Sequence, residues 1–117
     1  MKPIIGIVTR VEYPGETHKM VVHEDYRRKI IEHGGIPLGI CPCGKIDYTI
    51  TRYDDQEELT DEEKEMIIEQ IKLCNGLLLP GGFKINKFDR FIVEYAIEKD
   101  IPLLKVHART SSGPPVK

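Results

Sequence analysis

The sequence predicts an α/β domain, a parallel sheet of about four strands with helices on both faces. Apolar runs rich in β-branched residues or leucine, at 4–8, 36–40, 77–79 and 101–106, alternate with segments of helical apolar spacing. The links between them are short, as right-handed strand–helix–strand crossovers require. The run Gly76-Leu77-Leu78-Leu79 stops abruptly at Pro80-Gly81-Gly82, as a buried strand does when its carboxyl end enters a tight turn. Ligands of open parallel sheets sit beyond the carboxyl ends of the strands, so this turn is the first place to look for a site.

The elements follow in order. Ile4-Ile5-Gly6-Ile7-Val8 is the first strand, bounded by Pro3 and Thr9. Residues 9–17 contain Pro14-Gly15 and read as a loop on the binding side of the sheet. A helix is expected over 18–33, with Val22, Tyr26, Ile30 and His33 on one face. Gly34-Gly35 ends it at a position that needs positive φ. In the second strand, 36–40, Pro37 removes a ladder donor and argues for a sheet edge. Residues 42–55 read as irregular, although alternation over 45–53 allows a short extra strand.

The acidic stretch 54–65 has neither the glycine nor the spacing of a calcium loop. Thr60-Asp61-Glu62-Glu63 is instead a capping box opening a second helix, with Met66, Ile67, Gln70 and Ile71 on its inner face. Asn75-Gly76 breaks that helix before the leucine strand. Asn86 caps a third helix to Lys99, with Phe88, Phe91, Ile92, Tyr95 and Ala96 inward, and the tight Lys99-Asp100 link leads to the fourth strand. The implied architecture is a three-layer, flavodoxin-like or Rossmann-like sheet.

At 117 residues the chain has room for one core. We place the domain at residues 1–107. Residues 108–117, with a Ser-Ser-Gly run and adjacent prolines, read as a flexible tail of non-native character. Hydrophobic residues at 40% and charged residues at 31% exclude a disordered chain. A net charge of −2 gives no basic face for nucleic acid, and Arg27-Arg28-Lys29 reads as a solvated helix surface. No apolar run approaches the roughly 20 residues that cross a bilayer, and Met1-Lys2-Pro3-Ile4 enters a strand without a signal-like segment. The expected compartment is cytoplasmic, and no membrane partner is expected.

Cys41, Cys43 and Cys74 are an odd count and read as reduced thiols. Cys41-Pro42-Cys43-Gly44 has a metal-like look, but a structural zinc site needs four ligands in paired spacing. Completing one would recruit Cys74 with His18, His23, His33 or His107, so neither metal nor cofactor is expected. Nucleotide binding is disfavoured because no Gly-rich fingerprint follows the first strand: Gly6 lies inside it and Gly15 is isolated.

Four segments stand out together: Lys2-Pro3-Ile4-Ile5-Gly6-Ile7, His33-Gly34-Gly35-Ile36-Pro37-Leu38, Cys74 through Gly82, and Glu98-Lys99-Asp100-Ile101-Pro102-Leu103-Leu104. In order and spacing they resemble the amino-terminal half of a class I glutamine amidotransferase-like domain, in the γ-glutamyl-γ-aminobutyrate hydrolase (peptidase C26) branch. The resemblance covers residues 2 to 104. It implies a cysteine-dependent γ-glutamyl amide hydrolase fold acting on C–N bonds, with a small γ-glutamyl compound as partner. It also implies that Gly81 and Gly82 bind substrate, the Gly82 amide serving as an oxyanion donor. The other reading of these glycines, that they only close a sharp turn, stays open beside it.

The family's nucleophile elbow, Gly-Ile-Cys-x-Gly, does not follow Leu104. Lys105-Val106-His107-Ala108-Arg109 stands there, with His107 in the place of the cysteine. A histidine without a local acidic partner is read as incidental, so no catalytic residue is assigned. The resemblance therefore implies a domain truncated before its nucleophile and inactive as this chain. The alternative is a non-enzymatic ligand-binding or assembly module on the same fold. Leu103, Leu104 and Val106 should lie exposed at the edge of the fourth strand, favouring a homo-oligomer joined there.

Overall fold

The computed structural model describes residues 1–12, 19–44, 52–81 and 86–106. Its strands are β1 (Ile4–Val8), β2 (Arg10–Glu12), β3 (Lys19–Val21), β4 (Ile36–Ile40), β5 (Gly76–Pro80) and β6 (Leu103–Val106). The helices are α1 (Glu24–Glu32), α2 (Asp61–Lys72) and α3 (Lys87–Glu98), with a single 3₁₀ turn at Tyr53–Asp55. The main sheet is all parallel in the order β4-β1-β5-β6. The chain thus steps outward from β1 to β4, then returns to β5 on β1's other side. The strand order reverses between β1 and β5, and that reversal opens a crevice at their carboxyl ends.

The two faces of the sheet are covered by different helices, as side-chain alternation along a strand dictates. On one face Ile30 of α1 packs with Ile7 and Leu78. On the other, Ile67 and Ile71 of α2 and Phe88, Ile92, Val93 and Ala96 of α3 pack on Val8, Ile40, Leu77 and Leu79. Every residue of β5 is buried, as its uninterrupted apolar run requires of a central parallel strand. β4, with Pro37, is an edge strand. Among the described residues no helix is long and apolar enough to cross a membrane.

Several local readings need correction. The segment after β1 is not wholly loop, and the first helix does not start at His18. β2 and β3 pair antiparallel there, Arg10 opposite Val21 and Glu12 opposite Lys19. The β-branched Val21 and Val22 favour extended backbone, and helix begins only at Glu24. His23 caps it, its Nδ1 accepting the Asp25 N–H at 3.2 Å; histidine is not a usual cap, so the boundary was hidden. Val22 still joins Tyr26 on the Ile7–Ile30–Leu78 cluster, but from outside the helix. The extra strand considered over 45–53 falls largely on residues outside those described, and Tyr53 opens the 3₁₀ turn. Met66 is 40% exposed rather than inward, because Ile67 and Ile71 alone fill the inner stripe.

The edge strand β6 also departs from expectation in part. Leu104 is 61% exposed, whereas Leu103 and Val106 are half-buried, packed on the clusters of the two opposite faces. α1 lies over β4, with Ile30 against Ile7 of β1 and Leu78 of β5, and among the described residues no helix covers Leu104.

The predicted terminators are confirmed. Thr60 Oγ1 accepts the Glu63 N–H at 3.1 Å while Glu63 Oε1 accepts the Thr60 N–H at 2.7 Å, a complete capping box. Gly34 adopts φ 83° after α1, with Gly35 N–H bonded to Ile30 O and Gly34 N–H to Ile31 O. α3 ends the same way, Ile101 N–H on Ala96 O at 2.8 Å, but the left-handed residue there is Asp100, φ 56°. A side chain in that conformation costs more than glycine's extra chain entropy, so Asp100→Gly should stabilise by about 0.5–1 kcal/mol. A raised urea midpoint with unchanged slope is the expected result; a lowered midpoint would show that the Asp100 side chain contributes more than its backbone costs.

Candidate functional site

β1 delivers Thr9 and Arg10 to the crevice. Thr9 donates twice to the Ile40 carbonyl, from its backbone N at 3.1 Å and its Oγ1 at 2.9 Å, which joins the carboxyl ends of β1 and β4. Arg10 reaches the other way. Its Nη1 donates to Asp89 Oδ1 at 2.8 Å and to the Thr9 carbonyl at 3.3 Å, and its Nη2 donates to the Pro80 carbonyl at 2.6 Å. One guanidinium therefore holds the ends of β1 and β5 and the first turn of α3 in a fixed relation.

Asp89 is the anionic half of that clamp. Its side chain is 3% exposed, against 28% for Arg10. Burial pushes its carboxyl above the ordinary aspartate range, while the Arg10 charge and hydrogen bond and the Asn86 backbone pull the other way. The start of α3 is closed by side chains: Asn86 Oδ1 accepts the Asp89 N–H at 2.7 Å, and Gln56 Oε1 accepts the Lys87 N–H at 3.0 Å. Lys87 also pairs with Glu58 and lies 5.2 Å over the Tyr53 ring, with Arg90 at 5.7 Å from the same ring. Residues 53–58 are thereby fastened to the α3 terminus.

Of the substrate-binding pair expected from the sequence, Gly81 is half-buried directly after Pro80, whose carbonyl Arg10 holds. Gly82 lies outside the described residues, as do His18, His107 and the tail. The sequence reading missed Arg10 and Asp89. The signal for Asp89 was its position three residues after the Asn86 cap, a carboxylate inside a helix's first turn, but nothing local said that it would turn inward.

The thiols lie elsewhere. Cys41 and Cys43 follow β4, which β1 separates from β5. Gln70 pins them: its Nε2 donates to the Cys41 carbonyl at 2.8 Å and to Cys43 Sγ at 3.1 Å, and its Oε1 accepts the Cys41 N–H at 3.0 Å. Burial pushes the Cys43 thiol up, and burial does the same to Cys74, so neither is primed as a thiolate. Cys74 precedes β5, at the opposite end from Gly81. Of the histidines considered as metal ligands, His23 caps α1 and His33 ends it, its Nδ1 2.9 Å from the Lys29 carbonyl. Among the described residues no three His, Cys, Asp or Glu side chains gather as a metal site.

No protein-family model and no curated protein matches this sequence.

Proposed function

We propose that this chain is a small-ligand-binding domain of the glutamine amidotransferase-like type. It takes a γ-glutamyl compound at the carboxyl ends of β1 and β5 and does not hydrolyse it. The carrying observation is the Arg10 clamp. By holding the Pro80 carbonyl and Asp89 together, it fixes the carboxyl end of β5 against the first turn of α3 at the point where the strand order reverses. The absence of turnover follows from the sequence, which places His107 where the resembled family has its nucleophilic cysteine. An assembly role is the second reading, favoured by the exposure of Leu104 on the edge strand β6.

The test has two arms. A thermal-shift screen of L-glutamine, L-glutamate and nucleotides should show stabilisation by the glutamyl compounds, about 1.4 kcal/mol at ten times Kd. Ammonia release from γ-glutamyl amides should stay at background. Turnover above background that survives His107→Ala would mean that another group carries the chemistry, and stabilisation by nucleotides alone would replace the reading.

A further inference from the structure

Arg10 is only partly used by the clamp. Its Nη1 is spent on Thr9 and Asp89 and its Nη2 makes one bond, to Pro80. A guanidinium carries more N–H donors than these. Nε–H and the second Nη2 proton have no acceptor among the described residues. Nε and Nη2 share one edge of the planar group, the edge that in arginine–carboxylate pairs meets both oxygens side-on. With the side chain 28% exposed and its other donors anchored, a ligand that reaches Nε–H and the remaining Nη2–H meets a guanidinium already held in place.

We infer that Arg10 is the ligand-recognising residue of the crevice and that the group it reads is a carboxylate. Resting on the binding role proposed above, this adds the contact residue and the chemical class. Charge chooses between the two oxyanions that fit such an edge. Asp89 already balances the Arg10 charge at 2.8 Å, so a singly charged, planar carboxylate is favoured over a phosphate, which brings more negative charge towards Asp89. A γ-glutamyl compound carries its α-carboxylate at the end remote from the amide. A residue that grips that end would orient the amide without touching it.

The experiment uses the whole chain, labelled with ¹⁵N, and follows the Arg10 Nε–H resonance during titration with L-glutamine, with its α-carboxamide and with inorganic phosphate. Arg10→Lys is the companion variant, because it keeps a cation for Asp89 and loses the fork. L-glutamine should move the Nε–H signal, and its α-carboxamide should not. Arg10→Lys should bind L-glutamine about tenfold more weakly or worse, the loss of one charge-assisted hydrogen bond. Should the variant not fold, the Nε–H response of the wild-type chain decides alone. If L-glutamine binds while the Nε–H signal stays still, or binds wild type and variant alike, the crevice reading stands and the Arg10 assignment falls. Phosphate binding without L-glutamine binding overturns the ligand class. No binding by any of the three overturns both proposals.

Discussion

Arg10→Ala should cost about 3 kcal/mol of folding stability at neutral pH, among the largest effects of any single polar substitution in this chain. The reason is the asymmetry of the pair. Asp89 is 3% exposed and Arg10 28%, so removing the arginine strands a buried carboxylate, whereas removing the carboxylate leaves a cation that water can reach. Asp89→Asn should therefore cost distinctly less, about 1–2 kcal/mol. Urea unfolding of the two variants, compared at fixed pH, checks the ranking; equal losses would mean that the clamp is a surface contact.

The pH dependence carries a definite sign. Burial raises the folded-state pKa of Asp89 above the ordinary 3.8 even with Arg10 present. As pH rises through that window the unfolded chain gives up its proton first. The folded state then holds more protons, and this group's contribution to stability falls as pH rises. Removing Arg10 removes the charge and hydrogen bond that oppose the rise, so the window widens upward. The deficit of Arg10→Ala relative to wild type should shrink in acid and reach its full size towards neutrality. A deficit independent of pH would show that lost packing, not the uncompensated carboxylate, dominates.

How much of this was legible beforehand depends on the range of the interaction. The β5 run, the Thr60 and Asn86 caps and the Gly34 terminator were readable because each is decided by residues within one turn or one strand. The sheet order was less so, although alternation with short links left little room beyond a doubly wound arrangement. The β2–β3 hairpin was missed because Val22 and Tyr26 carry helical spacing and both do face Ile30, Val22 from before the helix begins. The clamp could not be read at all: Arg10 and Asp89 are 79 residues apart, and nothing near either names the other. Gly81 could be nominated from the Pro80-Gly81-Gly82 pattern alone, while the side chain that holds the preceding carbonyl came only with the fold.

Gly6 illustrates the same limit from inside the core, and it supports the second large prediction. In sequence it is a glycine in the middle of a strand, where alanine should gain about 0.5–1 kcal/mol from reduced chain entropy. In the fold, a Cβ at Gly6 would lie 2.8 Å from Cys74 Sγ, 2.9 Å from Leu77 Cδ2 and 3.0 Å from Ile40 Cγ1. Three contacts below ordinary packing distance, two of them from buried side chains, reverse the sign. Gly6→Ala should destabilise by about 2 kcal/mol, and a valine there by more. Cys74 is the nearest obstacle and is only half-buried, so Cys74→Ala should recover part of the loss when combined with Gly6→Ala. A four-protein cycle by urea unfolding measures that coupling; strictly additive effects would mean that Leu77 and Ile40 alone set the limit. Any displacement of β1 also travels to its carboxyl end, where Thr9 and Arg10 hold the crevice together. Gly6→Ala should therefore weaken L-glutamine binding as well as folding, whereas loss of the α2 cap in Thr60→Ala, whose capping hydrogen bonds run only to Glu63, should weaken folding alone.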